Sequence, residues 1–234
     1  MDSAVREALC RISTATISMQ LLKRGIRRCH IEGSAPLAPG YARIAGPAFT
    51  IRFVPFREDK STPASYAGTG TLREAIDGAP EGAIMVADAR GVSAAGTLGD
   101  ILAARLVAVG VNGFVSDGSV RDAAEILKTG LNVYCTGTVA PPSIGSLHYV
   151  GHSDVIGCGG VMVEPGDIVV CDGDGAVVIP QTLAEEVARD GMEQERFETF
   201  VQEKVNGGAA VTGLYPPDDA TLAQFETWRQ ENDD

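Results

Sequence analysis

Hydrophobic and polar residues follow two different periods through the middle of the chain. Short apolar runs, typical of strands buried on both faces, are each followed by about ten residues with helical spacing that end at a glycine. The predicted strands cover residues 83–88, 113–117 and 132–136, and the predicted helices cover residues 100–109 and 120–128. Strands that alternate with helices in this way favour a parallel sheet with right-handed crossovers.

The two ends of the chain have other patterns. Residues 3–24 have helical spacing that is interrupted at Ser13, whose hydroxyl is a natural N-cap, and Gly25 is a natural end. Towards the middle, residues 46–54 favour a strand, residues 55–69 a surface loop and residues 71–76 a short helix. Later strand-like runs cover residues 155–163, 167–172 and 176–180, and helical patterns return in residues 181–205 and within the tail from residue 216.

These patterns predict an α/β protein. We expect one domain over residues 1–234, with a helical N-terminal segment to about residue 25, a core over about residues 26–180 and a helical C-terminal extension over about residues 181–234.

Composition narrows the class of protein. The 234 residues carry 19 basic and 31 acidic side chains, and this net charge of −12 argues against a nucleic-acid partner, which would be bound through clustered Lys and Arg. No apolar run reaches the roughly 20 residues of a membrane span, and no apolar signal-peptide core follows the charged N-terminus. The five cysteines are odd in number and never form a CxxC pair. We therefore expect a soluble cytoplasmic protein with reduced thiols and no membrane partner.

Two segments that each follow a predicted strand combine glycine with charged residues. The first is Gly96-Thr97-Leu98-Gly99-Asp100, and the second contains Asp117, Arg121 and Asp122. In open parallel sheets ligands bind at this carboxyl edge, and a glycine-rich turn that opens a helix exposes backbone N–H groups to an anion. Arg121 is suited to a carboxylate or keto oxygen, and Asp100 and Asp122 are suited to Mg²⁺ or Mn²⁺.

Each of these features also has an ordinary structural explanation. A GxxG at a helix start is common, Asp122 near a helix N-terminus is a favourable dipole interaction, and Arg121 and Asp117 would make a weak surface ion pair. It is the convergence of an anion-binding turn, one arginine and two carboxylates at adjacent strand ends that favours a small-anion site.

At these residues the sequence resembles the RraA-like family. The likeness rests on residues 95–100 followed by Arg121-Asp122, and it extends to residues 46–48, 117–118, 163–167 and 172–175. That family includes 4-hydroxy-4-methyl-2-oxoglutarate/4-carboxy-4-hydroxy-2-oxoadipate aldolases, which also decarboxylate oxaloacetate, and regulators of ribonuclease E. The resemblance implies a layered β/α fold of swivelling-domain type, assembled as homotrimers or hexamers with sites between subunits.

The resemblance also implies roles for individual residues. Asp122 would bind the divalent metal, Mg²⁺ or Mn²⁺, directly, and Asp100 would bind it through water. Arg121 would hold the pyruvoyl group and stabilise its enolate. Substrate binding would also involve the turn formed by Gly99, Asp100, Ile101 and Leu102, where the backbone N–H groups of Ile101 and Leu102 would bind the pyruvate carboxylate. Family aldolases add acidic residues from a neighbouring subunit's C-terminal region, where Glu193, Glu195 and Glu198 remain alternatives.

The resulting hypothesis is a metal-dependent carbon–carbon lyase, a class II pyruvate aldolase or oxaloacetate decarboxylase, acting on a small anionic α-keto di- or tricarboxylic acid. Both reactions pass through a pyruvate enolate, whose charge a metal ion and a guanidinium stabilise. The alternative is a non-catalytic RraA-type regulator that binds ribonuclease E through its acidic surface.

Two further groups give weaker signals. His148 and His152 have the spacing of metal ligands on a helix, but Pro141 and Pro142 favour a loop there. Residues 172–175 (DGDG) resemble part of a calcium loop that lacks its final glutamate, and we interpret them as a hairpin turn.

Overall fold

The computed structural model of the chain describes residues 1–232. Its helices are α1 (Ser3–Leu9), α2 (Thr14–Lys23), α3 (Leu72–Asp77), α4 (Asp100–Ala108), α5 (Ala123–Thr129), α6 (Ala184–Asn206) and α7 (Asp219–Asn232). Its strands are β1 (Ala35–Pro36), β2 (Ile44–Pro55), β3 (Ile84–Asp88), β4 (Gly113–Ser116), β5 (Ser119–Val120), β6 (Asn132–Cys135), β7 (Gly137–Thr138), β8 (Leu147–His152), β9 (Ile156–Cys158), β10 (Val161–Val163), β11 (Ile168–Asp172) and β12 (Gly175–Ile179).

The main sheet is mixed, and it nearly closes on itself. Its order is β1-β6-β4-β3-β2-β11-β12, with β8 also paired to β2. The four strands β2, β3, β4 and β6 run parallel, as the strand–helix alternation predicts. The strands β1, β8, β11 and β12 extend this centre in antiparallel pairings. The predicted α/β class and the layered fold with a helical C-terminal extension are confirmed.

Both faces of the central strands are buried, so the side chains on both faces are apolar. In β3, Met85 and Ala87 face the layer formed with α3, α4 and α5, while Ile84 and Val86 face the interior of the curled sheet. The outer face of β11 and β12 packs against α1, α2 and α6. A separate aromatic cluster centred on Phe200 and Phe225 joins α6 to α7. None of the helices in residues 1–232 combines the length and the apolar character that a membrane crossing needs.

Two sequence predictions are wrong in this region. The helix predicted over residues 120–128 begins at Ala123, because Ser119 and Val120 pair as a short strand with β7 instead. The loop expected around His148 and His152 is strand β8, which hydrogen-bonds to β2 and so satisfies its backbone groups in the sheet.

Candidate functional site

A cavity of about 350 Å³ lies where the chain leaves the sheet and enters α4 and α5. Its size is within the range of pockets that hold small metabolites. All six of the residues predicted to form the site line it, namely Gly99, Asp100, Ile101, Leu102, Arg121 and Asp122. The fold therefore brings together two segments that the sequence separates by about twenty positions.

Backbone hydrogen bonds hold the two segments side by side. The Thr97 N–H and hydroxyl both donate to the Ser119 carbonyl, at 2.9 and 3.1 Å, and the Arg121 N–H donates to the Leu98 carbonyl at 2.9 Å. These bonds fix where the chain passes into α5, and they place Arg121 against the turn that opens α4.

The two glycines of that turn make room for Arg121 and Asp122. A Cβ atom at Gly96 would lie 2.9 Å from the Arg121 Cβ and backbone nitrogen, and one at Gly99 would lie 3.0 Å from Asp122 Oδ2. Real Cβ atoms hardly ever approach so closely, so the GxxG pattern has a packing reason besides the anion-binding turn that the sequence suggests.

Asp122 has an uncommon backbone conformation. It is the N-cap residue of α5 and lies in the left-handed region, at φ 57° and ψ 37°, with no side-chain cap hydrogen bond. Its Oδ2 accepts a 3.0 Å hydrogen bond from Arg121 Nε, and each of the two side chains is 37% exposed. A non-glycine residue in this region costs on the order of 1 kcal/mol or more, and such residues cluster at functional sites.

The N-terminus of α4 forms another wall of the cavity. Gly99 is the N-cap residue and has no side chain with which to cap the helix, and Asp100 follows in the first turn. Asp100 Oδ1 accepts a 2.8 Å hydrogen bond from the Ile101 N–H, one of the predicted carboxylate donors. The helix end thus already binds one carboxylate, as the helix dipole favours.

Three cavity residues with polar side chains were missed by the sequence analysis. Tyr66 and Arg73 come from the region assigned only to a surface loop and a short helix, and Ser143 follows the Pro141-Pro142 pair. No motif marks these residues, because they reach the cavity through tertiary packing alone.

The donor set fits Mg²⁺ or Mn²⁺ as the sequence suggests. Among residues 1–232, no group of three or more His, Cys, Asp or Glu side chains is arranged to hold a metal. Mg²⁺, however, keeps several waters and binds through one or two carboxylates together with its substrate. Asp100 and Asp122, the two carboxylates that line the cavity, meet that requirement.

The remaining charged and titratable candidates are engaged elsewhere. Asp117 is buried and accepts backbone hydrogen bonds from Ala89, Gly91 and Gly159, so it anchors loops and does not pair with Arg121. The ring nitrogens of His148 and His152 contact serine hydroxyls. All five cysteines are free, and burial raises the pKa of the Cys158 and Cys171 thiols well above the usual value.

The DGDG segment forms the predicted turn between β11 and β12, and its first residue is an anchor. Asp172 accepts hydrogen bonds from the Thr14 N–H and hydroxyl, at 2.9 and 2.7 Å, and from the Asp174 N–H at 3.0 Å, and it pairs with Arg43 at 3.3 Å. Burial by itself would raise the pKa of Asp172, but these hydrogen bonds and the Arg43 charge outweigh it and lower that pKa.

Comparison with known proteins gives concordant matches. Residues 10–178 match the model of the RraA-like family, described as Aldolase/RraA. Protein DlpA of Legionella pneumophila is 31% identical over 181 residues, which are 74% of this chain and 28% of DlpA, so the chain spans little more than a quarter of that relative. A Halalkalibacterium halodurans protein named "Putative 4-hydroxy-4-methyl-2-oxoglutarate aldolase" is 30% identical over 65% of this chain and 67% of its own length.

Solved structures agree with these sequence matches. An uncharacterised protein from Pseudomonas syringae superposes with a TM-score of 0.81 at 27% identity, covering 92% of this chain and 94% of its own. RraAS2 of Streptomyces coelicolor, described as an unusual member of the RNase ES inhibitor RraA protein family, gives 0.78 at 34% identity over 86% and 97%.

Proposed function

The chain belongs to the RraA-like family, and from that premise we propose that it is a divalent-metal-dependent lyase that releases pyruvate from a small α-keto di- or tricarboxylic acid. The observation that carries the proposal is the cavity itself, which combines Asp100 and Asp122 with Arg121 at the open N-terminus of α4. The aldolase name of a relative at 30% identity supports the same reaction class.

The proposed reaction breaks the bond between C3 and C4 of the keto acid. In a retro-aldol cleavage the C4 hydroxyl gives its proton to a water molecule and becomes a carbonyl, while C3 and the keto group become a pyruvate enolate. The enolate then takes a proton from water at C3, so no proton is gained or lost overall. In oxaloacetate the same bond breaks to release carbon dioxide. Both reactions need the negative charge on the keto oxygen to be stabilised as it develops.

We assign that stabilisation to groups of the cavity. The Arg121 guanidinium, aligned by its 3.0 Å hydrogen bond to Asp122, donates to the keto oxygen as its charge grows. The Ile101 and Leu102 N–H groups bind the C1 carboxylate, which replaces the Asp100 carboxylate at the Ile101 N–H. Asp122 would hold a divalent cation directly and Asp100 would hold it through water, and the bound cation would supply Lewis-acid stabilisation of the same charge.

The test is pyruvate release from oxaloacetate and from 4-hydroxy-4-methyl-2-oxoglutarate, measured with Mg²⁺ or Mn²⁺ and with a chelator. Arg121→Ala should abolish most of the activity. Arg105→Ala, which removes an exposed arginine of α4 that pairs with Asp77, should retain it. Activity that survives both chelation and the Arg121→Ala change would exclude this mechanism.

The alternative function is regulation of ribonuclease E without catalysis. The observation in its favour is the 34% identity to RraAS2, which is described as a member of an RNase inhibitor family. A pull-down with ribonuclease E, run beside the pyruvate assay on the same preparation, separates the two functions. Lyase activity without capture would exclude the regulator, and capture without activity would exclude the lyase.

We also propose that the chain assembles as a homotrimer or hexamer with the cavity at a subunit boundary. Ile101 lines the cavity and is 78% exposed, more than any other large apolar side chain in residues 1–232, so a neighbouring subunit would bury it. Light scattering coupled to gel filtration tests this, and a monomeric mass would contradict it.

A further inference from the structure

A second guanidinium reaches the cavity that contains Arg121. Arg73, the second residue of α3, lines the same cavity as the turns that open α4 and α5. Within residues 1–232 it makes no ion pair with an acidic side chain, whereas Arg121 pairs with Asp122. The Arg73 charge is therefore not neutralised by the protein.

The Arg73 side chain is held in place by Tyr66. Its guanidinium carbon lies 4.5 Å from the centroid of the Tyr66 ring, and one of its nitrogens donates to the Tyr66 carbonyl at 3.0 Å. The Tyr66 hydroxyl lies 3.4 Å from the hydroxyl of buried Ser143 and so connects this wall of the cavity to the next. The Tyr66 carbonyl accepts from one of the five N–H donors of the Arg73 guanidinium. The other donors, held in a fixed planar geometry, remain available to an acceptor such as a carboxylate.

The charges of the cavity fit a substrate with two carboxylates. The charged residues of its lining are Arg73, Arg121, Asp100 and Asp122, whose charges cancel. On the proposed function, a divalent cation at the two aspartates leaves an excess of two positive charges, which a dianion neutralises. A monocarboxylate would leave one guanidinium unpaired. Since Arg121 lies beside Asp122, Arg73 is the cation available to the other end of the substrate.

We propose that Arg73 binds the distal carboxylate of a keto diacid and thereby gives the site its preference for dicarboxylates over monocarboxylates. This rests on the proposed function for the position of the keto end, but it concerns binding and not bond cleavage. It assigns a specificity role to a residue outside the Asp100, Arg121 and Asp122 group.

The experiment compares two keto acids by isothermal titration calorimetry with Mg²⁺ present. 2-Oxoglutarate and 2-oxopentanoate have the same carbon chain and differ in the distal carboxylate, and both lack the 4-hydroxyl group and the β-carboxylate that cleavage requires. We expect wild-type protein to prefer 2-oxoglutarate by about tenfold or more, as expected for one lost charge-assisted contact. Arg73→Gln should remove that preference and leave 2-oxopentanoate binding within about twofold of wild type.

Two further variants complete the test. Arg73→Lys, which keeps the charge without the planar fork, should restore part of the preference, and Arg105→Gln should behave as wild type because that arginine lies outside the cavity. The proposal is overturned if the wild type binds 2-oxoglutarate no more tightly than 2-oxopentanoate. It is also overturned if Arg73→Gln lowers the affinity for both ligands equally. Absence of pyruvate release from the wild type would instead overturn the lyase function, whatever the ratio of the two affinities.

Discussion

Two of the Arg–Asp pairs in the structure, Arg43–Asp172 and Arg121–Asp122, have sharply different surroundings. The Arg43–Asp172 pair connects the start of β2 to the β11–β12 turn, and Asp172 also accepts hydrogen bonds from Thr14 at the start of α2. The Asp172 side chain is 11% exposed, and its oxygens accept from four donors. Arg121–Asp122 lies in the cavity, both side chains are 37% exposed, and among the described residues the Asp122 carboxylate has a recorded hydrogen bond from Arg121 alone. The same two residue types form a structural anchor where the carboxylate lone pairs are satisfied, and where the lone pairs remain open they form the pair to which the proposed function assigns ligand binding.

Backbone conformation follows the same division. Asp172 ends a regular strand, whereas Asp122 lies in the left-handed region. A carboxylate that stabilises the fold needs no strain, and a strained one must be held in place by its surroundings. Asp122 is held in this conformation by residues 119–121, which are hydrogen-bonded to the glycine-rich turn, and by the start of α5.

The largest expected effect is on catalysis at Asp122. Asp122→Asn keeps the shape of the side chain and tolerates the left-handed conformation, but it removes the charge. We expect pyruvate release to fall by about 10²–10³-fold, the cost of removing one preorganised electrostatic group. The free energy of unfolding, measured with urea, should change by less than about 0.5 kcal/mol, as for most partly exposed positions. Near-normal activity would contradict the assignment of Asp122 as a metal ligand.

Asp172→Asn should show the reverse pattern. The amide replaces one oxygen by an NH₂ group, which then faces two of the four donors, either the Thr14 hydroxyl and the Asp174 N–H or the Thr14 N–H and Arg43 Nε, and so leaves buried polar groups unpaired. We expect the free energy of unfolding to fall by about 2–3 kcal/mol. The activity of the protein that remains folded should be unchanged. A variant that loses activity while keeping its urea midpoint would show that the two pairs are not separate in function.

The sequence predicted one of these pairs better than the other. Adjacent residues such as Arg121 and Asp122, on a turn after a strand, are visible as a motif, and their convergence with Gly99 and Asp100 follows from the rule that parallel strands end at one edge. Asp172 was interpreted only as part of a turn, because its partner Thr14 is 158 positions away and has no pattern of its own.

The spacing of residues in the sequence also explains only part of why glycine occupies positions 96 and 99. Gly96 and Gly99 were expected to open an anion-binding turn, but the close approach of Arg121 and Asp122 is a tertiary contact that spacing cannot show. Tyr66 and Arg73 were missed for the same reason. The fold class was more accessible, since apolar runs and helical periods are local signals. Of the antiparallel strands around the parallel centre, the β11–β12 hairpin was predicted, but β1 and β8 were not.

A smaller effect is expected when a methyl group is added at the glycine that lies against the Arg121–Asp122 pair. In Gly99→Ala the new methyl group would lie 3.0 Å from Asp122 Oδ2 and 3.4 Å from Arg121 Cγ, so the pair must shift by a few tenths of an ångström. We expect kcat/KM for pyruvate release to fall by about tenfold, since small misplacements of reacting groups are costly. The matched control is Gly157→Ala, where no atom lies within 4 Å of the added carbon. Equal activities of the two variants would show that Gly99 serves only the turn.

The smallest effect is a difference in acid sensitivity between the wild type and Asp172→Asn. The folded-state pKa of Asp172 is lowered, so its carboxylate stabilises the fold fully above the unfolded-state value of about 3.9, and this contribution declines as the pH falls through the lower folded-state value. The gap between the urea midpoints of the two proteins should therefore be constant from pH 7 to about pH 5 and narrow below about pH 4. Asp122→Asn provides the comparison, because it should leave the Asp172 contribution in place and follow the wild-type profile. A gap that stays constant down to pH 3 would mean that the hydrogen bonds to Asp172 do not depend on its charge.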